Sequence, residues 1–73
     1  MSERPNELKK LAAIAADLEL SAELRIKAIK SVGRMGTYEA LLVLLDIGGN
    51  EKLIRKERSL ALKQARKIID AVH

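Results

Sequence analysis

The sequence predicts an all-α protein in which four helices form two antiparallel hairpins. Three observations lead to this prediction. Apolar residues recur at helical spacing along most of the chain, no segment shows the alternation of a strand, and no linker is long enough to separate two domains. The 73 residues therefore form one small helical domain, residues 1–73.

The first two predicted helices each carry one apolar stripe. The first begins near Pro5, a residue that suits the first turn of a helix, and the second begins after Ser21, a favourable N-cap. We expect both stripes to face the core. The first stripe comprises Leu8, Leu11, Ala12, Ala15 and Leu18, and the second comprises Leu24, Ala28, Val32 and Met35.

The stretch SVGRMGT, residues 31–37, predicts a tight turn between the second and third helices. Gly36 follows the last periodic residue, where a left-handed cap costs glycine least, and Thr37 caps the next helix. Because the turn has only two or three residues, the flanking helices run antiparallel. Gly33 lies inside the helix, where glycine costs about 1 kcal/mol relative to alanine, so we expect a neighbouring helix to approach closely there.

The third predicted helix, residues 38–47, is apolar nearly all round. Such a helix is either covered on several sides or leaves an apolar strip exposed for a partner helix or a second copy of the chain. The candidate docking strip consists of Tyr38, Leu41, Leu42, Val43 and Leu45. Gly48 and Gly49 end this helix, and Asn50 is the predicted cap of a final helix from about Glu51 to Ala71.

The chain contains a weak internal repeat with a period of 33 residues. A period of this size that spans a helix pair is typical of helical solenoids. The shift aligns identical residues at Leu8 and Leu41, Leu11 and Leu44, Ile14 and Ile47, Arg25 and Arg58, Ala28 and Ala61, and Lys30 and Lys63.

The stretch ELSAELRIKA, residues 19–28, resembles the opening of a HEAT repeat. Its continuation to Asp46 is similar to the HEAT-like repeats first named from phycobilisome lyases. One full repeat, about residues 19–48, matches, with half repeats on either side. Glu57 and Arg66 depart from the pattern, which expects an aliphatic residue and a glycine, and this indicates a terminal capping repeat. The resemblance implies an α-α superhelix of two HEAT-like hairpins that binds other macromolecules, without lyase activity.

The resemblance also implies a structural role for Arg25 and Arg58. HEAT-like repeats often use an arginine at this position to tie neighbouring repeats to an acidic residue. A buried arginine must be paired, and Asp17, Glu19 and Asp46 are the available partners.

Basic residues give the chain a net charge of +4, and the whole excess lies in residues 51–73. At about 100° per residue, six of the seven basic residues of this segment fall on one arc of the last helix, with Arg58 outside it, and the second helix has a matching polar face. Stacked hairpins would bring both together as an anion-binding face for nucleic acid, membrane lipid or an acidic protein; the same residues also suit a solvated surface. The candidate face consists of Lys27, Lys30, Arg34, Lys52, Arg55, Lys56, Lys63, Arg66 and Lys67.

The sequence contains no Cys/His or Ser/His/Asp constellation, and the acidic pairs Asp17 with Glu19 and Asp46 with Glu51 suit solvated or capping roles better than catalysis. It has no cysteine, and the only histidine is the terminal His73, where fraying is expected. No phosphate-binding glycine loop follows a strand. We therefore expect no catalytic residue, no metal site, no cofactor and no small-molecule substrate, and we predict that the protein is not an enzyme.

Two nucleic-acid folds are weaker alternatives. GRMG at residues 33–36 spells the GxxG motif of KH domains, but that fold needs strands, which the pattern lacks. Four helices with a basic last helix also suit a helix-turn-helix protein, although the repeat spacing argues against it. The absence of an apolar run in the first twenty residues favours a cytoplasmic location.

These observations predict a non-catalytic interaction module. Its partner would be another protein or a second copy of the chain, docked on the apolar strip or on the basic face. The alternative is a sequence-nonspecific nucleic-acid-binding protein that uses the basic face. Base-specific recognition is disfavoured because the chain has a single aromatic residue, Tyr38, for stacking.

Overall fold

The computed structural model describes residues 4–72, and these residues form four α-helices with no strand among them. The helices are α1 (Arg4–Ala16), α2 (Ala22–Met35), α3 (Tyr38–Gly48) and α4 (Arg55–Ala71). The all-α, four-helix prediction is therefore confirmed. The expectation that His73 frays concerns a residue outside the described range.

The turn between α2 and α3 has the predicted construction. Gly36 adopts the left-handed conformation with φ of 66°, and the Thr37 hydroxyl accepts a hydrogen bond from the Ala40 backbone N–H at 3.0 Å. At the start of α2, the Ser21 hydroxyl likewise accepts from the Leu24 N–H at 3.2 Å. Each side chain satisfies a donor that the first helical turn leaves without an intrahelical partner.

The prediction that Gly33 admits a neighbouring helix is also confirmed. A Cβ atom at this position would lie 3.0 Å from the Cβ atom of Gln64 in α4 and would collide with the Gln64 amide. The absence of a side chain at residue 33 therefore lets the backbone of α2 approach α4 without displacing the Gln64 side chain.

The start of the last helix differs from the prediction, since α4 begins at Arg55 and not at Glu51. The Asn50 side chain accepts from the Lys52 N–H at 3.0 Å, and the Asn50 carbonyl accepts from the Leu53 N–H at 3.1 Å. These bonds close a turn that buries Leu53, which is 4% exposed. Burial of Leu53 holds residues 50–53 in a turn, so Asn50 caps no helix and Lys52 lies in the connection.

The four helices form two layers. α1 packs against α2 and α3 against α4, while α2 lies beside α4 and α1 beside α3. The smallest extent of the Cα atoms is 16 Å. Two helix layers have about this thickness, because packed axes are 8–10 Å apart and Cα atoms lie about 2.3 Å from each axis. We therefore describe α2 and α4 as one layer and α1 and α3 as the other.

The core between the layers is aliphatic and rich in alanine. Alanines at the contact positions let the helix axes approach closely, and the larger aliphatic side chains fill the space between them. Ala28 and Ala61, which the 33-residue repeat aligns, are both buried. The buried apolar residues are Ala15, Ala28, Ile29, Val32, Ala40, Leu44, Ile47, Leu53, Ala61, Ala65 and Ile68.

Two residues of the predicted apolar stripes do not face this core. Leu18 lies beyond the end of α1 and is 53% exposed, and Leu24 is 47% exposed. On α2 the inward positions belong to Arg25 and Ile29 instead. Because Arg25 points inward, the rotation of about 100° per residue turns Leu24 toward solvent.

Candidate interaction site

A buried ion pair joins the start of α2 to the start of α4. Arg25 Nε donates to Glu57 Oε1 at 2.9 Å, and Arg25 Nη2 donates to Glu57 Oε2 at 3.0 Å. Arg25 Nη1 donates to the carbonyl oxygens of Leu20, at 2.6 Å, and Asp17, at 3.3 Å. Glu57 is fully buried. One guanidinium thus ties the α1–α2 connection to α4 through a planar two-point contact that lysine could not reproduce.

The partner of Arg25 is not one of the three acids expected from the sequence. Asp17 contributes only its backbone carbonyl to the hydrogen bonds of Arg25. Glu19 and Asp46 are exposed, and the carboxylate that pairs with Arg25 belongs to Glu57. Glu57 is the residue that stands where the repeat pattern expects an aliphatic side chain. An acid at an inward helical position was therefore the signal that could have identified it, since a buried carboxylate requires a partner.

The environment of Arg25 keeps it charged. Its hydrogen bonds to Glu57 raise the pKa of Arg25 above its usual value, and the negative charges of Glu57 and Asp17 act in the same direction. Burial alone would lower that pKa, but its effect is smaller than that of the hydrogen bonds. Arg25 therefore remains positively charged in the folded protein.

Arg58, the repeat equivalent of Arg25, makes a different contact. It is half-buried, and its Nε donates to the carbonyl oxygen of Gly48 at 3.2 Å. This carbonyl is at the last residue of α3, where the helix provides no amide partner. The Arg58 side chain therefore links the end of α3 to α4 through this hydrogen bond. In residues 4–72, no carboxylate lies within ion-pair distance of Arg58.

The basic residues expected to bind anions are all exposed, and three of them converge. Lys30 of α2 and Lys56 and Lys63 of α4 line one open groove with a volume of about 430 Å³. Ile26, Ser59 and Leu60 complete its lining. We call this feature the α2–α4 groove. Lys30 and Lys63, which the repeat aligns, reach it from the two neighbouring helices.

The remaining basic residues spread beyond the groove. On α2, Lys27 and Arg34 lie about 40–60° from Lys30 on the outward side. On α4, Lys67 follows Lys63 by one turn and lies on the same side of the helix, whereas Arg55 and Arg66 are rotated by about 60–100° toward the α3 side. Arg66 Nε pairs with Asp70 Oδ1 at 3.4 Å on the exposed surface. Lys52 lies in the connection before α4, off the arc on which the sequence placed it.

Three members of the predicted apolar strip form a row on the outer side of α3. Tyr38, Leu42 and Leu45 are 68%, 48% and 44% exposed, and their spacing of four and three residues places them on one side of the helix. We call these residues the α3 row. The other two members, Leu41 and Val43, are half-buried and packed against the core. Their inclusion in an exposed strip is therefore wrong, because they flank the inward line of α3 on both sides.

Apolar residues of α4 extend the α3 row. Leu62 lies against Gly48, where an added Cβ would be 2.7 Å from Leu62 Cγ, so Leu62 stands at the seam between α3 and α4. Leu62 and Ile69 are 47% and 40% exposed and lie on one side of α4, seven residues apart. Leu62 and Ile69 therefore lie on the side of α4 that borders α3.

The two surfaces lie on opposite sides of the molecule. The α2–α4 groove opens on the outer side of the α2/α4 layer, and the α3 row lies on the outer side of the α1/α3 layer.

In residues 4–72, no three histidine or acidic side chains come together in a way that could hold a metal ion. Within the same range, no helix has the length and apolar character needed to cross a membrane.

No family model, curated protein or solved structure matches this chain.

Proposed function

We propose that this protein is a non-catalytic interaction module of the HEAT-like type that associates with a second copy of itself through the α3 row. The observation that carries the proposal is the exposure of Tyr38, Leu42 and Leu45 on one side of α3, with Leu62 and Ile69 of α4 exposed as well. Contiguous apolar surface on a small protein is characteristic of interaction sites. The lack of cysteine and of any histidine before His73 supports a role without catalysis.

The size of the protein favours association. A standard interface buries about 800 Å² on each partner, which is about 15% of the 5199 Å² surface of this chain. A 73-residue domain with an aliphatic core has little stability to spare, so burial of the α3 row contributes to the stability of the protomer itself.

The charges beside the α3 row favour a parallel arrangement of the two α3 helices. Arg55 and Arg66 of α4 lie on one side of the row, and Glu39 and Asp46 of α3 lie on the other. A two-fold axis parallel to α3 brings the basic side of one protomer over the acidic side of its partner. An axis perpendicular to α3 would oppose like charges, which disfavours the antiparallel dimer.

The experiment is sedimentation equilibrium from micromolar to millimolar protein, with a charge placed in the α3 row. We expect the unmodified protein to form dimers and Leu42→Glu to be monomeric at the same concentrations. Leu24→Glu is the matched control, because Leu24 on α2 is 47% exposed and Leu42 is 48% exposed. An unmodified protein that stays monomeric throughout, or equal effects of the two substitutions, would contradict the proposal.

A second candidate function is sequence-nonspecific nucleic-acid binding. The convergence of Lys30, Lys56 and Lys63 on the α2–α4 groove favours it, because clustered basic side chains release counterions from phosphates. Titration of labelled duplex DNA at low and moderate salt tests it. Affinity that falls steeply with salt supports this function, and no binding at low salt excludes it.

A further inference from the structure

We infer that the α2–α4 groove binds an acidic amphipathic helix of a partner protein. The inference rests on the proposed role as an interaction module but not on self-association, because the groove and the α3 row lie on opposite sides. The occupant presents carboxylates about two helical turns apart and apolar side chains between them.

The groove alternates charge and apolar surface at helical spacing. Lys56, Leu60 and Lys63 of α4 stand at positions i, i+4 and i+7, so a leucine lies between two lysines on one side of the helix. Ile26 and Lys30 of α2 face them at positions i and i+4. The half-buried Ile26 and Leu60 form the floor, and the three exposed lysines form the rim.

The dimensions fit two turns of a helix. Lys56 and Lys63 are seven residues apart on α4, which corresponds to about 10.5 Å along the axis at 1.5 Å per residue. Carboxylates at positions i and i+7 of a bound helix have the same separation. Apolar residues at positions i+3 and i+4 of that helix then lie over Ile26 and Leu60.

The charges of the groove select an acidic occupant. Within residues 4–72, none of Lys30, Lys56 and Lys63 has a carboxylate within 4.0 Å. A second copy of the chain is disfavoured at this site, because the net charge is +4 and the excess lies in residues 51–73, which include most of α4. Placing two such surfaces together would oppose like charges.

The floor of the groove favours a peptide over a nucleic acid. A phosphate backbone gains nothing from covering two aliphatic side chains, whereas an amphipathic helix removes them from water. Binding by stacked bases needs aromatic side chains, and the only one, Tyr38, is on the opposite side of the molecule.

The test uses three labelled probes in fluorescence anisotropy titrations at low and moderate salt. The first is a synthetic helical peptide with glutamates at i and i+7 and leucines at i+3 and i+4. The second is the same peptide with serines in place of the leucines, and the third is a duplex DNA of arbitrary sequence. We expect saturable binding of the first peptide. The affinity for the serine peptide should be lower than that for the first peptide by about tenfold or more.

Two charge-reversed proteins locate the site. Lys30→Glu with Lys63→Glu changes the groove, and Lys9→Glu with Lys10→Glu changes net charge equally at exposed positions of α1, a helix that does not line the groove. Compared with the unmodified protein, we expect the groove variant to bind the first peptide about tenfold or more weakly. The control variant should bind this peptide with an affinity within about twofold of that of the unmodified protein. Far-UV circular dichroism of both variants verifies that the helices are retained.

Four results would overturn the inference: no binding of the first peptide, equal binding of the serine peptide, equal losses in the two variants, or tighter binding of DNA than of peptide. Leu42→Glu separates this inference from the proposed self-association. A monomeric Leu42→Glu protein that retains peptide binding shows that the groove acts independently. A dimeric unmodified protein that binds no peptide refutes the groove and leaves self-association in place.

Discussion

Replacing Glu57 by glutamine tests whether the buried ion pair holds the two hairpins together. Glutamine has nearly the same shape as glutamate, so no cavity forms in the core. The amide keeps one acceptor oxygen for Arg25. Its NH₂ group takes the place of Glu57 Oε2, which in the unmodified protein accepts from Arg25 Nη2 at 3.0 Å. The substitution therefore removes one charged hydrogen bond and leaves a buried positive charge without its counterion.

The expected loss is large relative to the stability of the protein. Removing one partner of a buried pair typically costs about 3–5 kcal/mol. A chain of 73 residues at 0.05–0.15 kcal/mol per residue has a free energy of unfolding of about 4–11 kcal/mol. Urea unfolding followed by far-UV circular dichroism measures the change, which we expect as a strongly lowered midpoint or as loss of the folded baseline.

A double substitution separates the charge effect from a general loss of packing. Arg25→Met together with Glu57→Leu removes both charges and fills the space with apolar atoms, which is often neutral or stabilising at buried pairs. We expect the double variant to be more stable than Glu57→Gln, although it leaves the Leu20 and Asp17 carbonyls to be satisfied by water. A Glu57→Gln protein within about 1 kcal/mol of the unmodified one, or a double variant that is less stable than the single, would refute the reasoning.

Three further substitutions or conditions test other parts of the structure by the same unfolding measurement. Gly36→Ala should cost about 1–2 kcal/mol because of the φ of 66°, and Gly36→Asn should cost less; equal losses would show that the left-handed conformation is not the cause. Ile54→Asp should stabilise the protein by roughly 0.5–1 kcal/mol, because the N-cap of α4 has no side-chain hydrogen bond and Ile54 is 52% exposed; a loss of stability would contradict this. The pKa of Arg25 is raised in the folded protein, so the contribution of Arg25 to the free energy of unfolding is fully present below the ordinary arginine pKa. This contribution is lost only as pH rises through the higher folded pKa. Between neutral pH and about pH 10, deprotonation of Arg25 should therefore not lower the stability.

Local signals in the sequence specify the helices, apart from the start of α4, and the turn between α2 and α3. These features depend on local signals: the caps at Ser21 and Thr37, the left-handed glycine at Gly36, and apolar spacing within one helix. The close approach at Gly33 was also predictable, because an unfavourable residue inside a helix requires a packing reason. The identity of the approaching side chain, Gln64, was not predictable from these signals.

Which residues meet across helices depends on how the whole chain packs. The acid that pairs with Arg25 lies 32 residues away at Glu57, and no local pattern distinguishes it from the nearer acids. The start of α4 at Arg55 depends on burial of Leu53, which overrides the capping signal of Asn50. Both outcomes depend on tertiary contacts, which local propensity and helical spacing do not encode.

The same division applies to the two candidate surfaces. Helical spacing alone located the basic residues and the apolar third helix. The orientation of each helix against its neighbours then decided that Lys30, Lys56 and Lys63 share a groove, and that Leu41 and Val43 face inward while Tyr38, Leu42 and Leu45 remain exposed. Spacing determines which residues share a side of a helix, but the direction in which that side points is determined by the packing of the whole molecule.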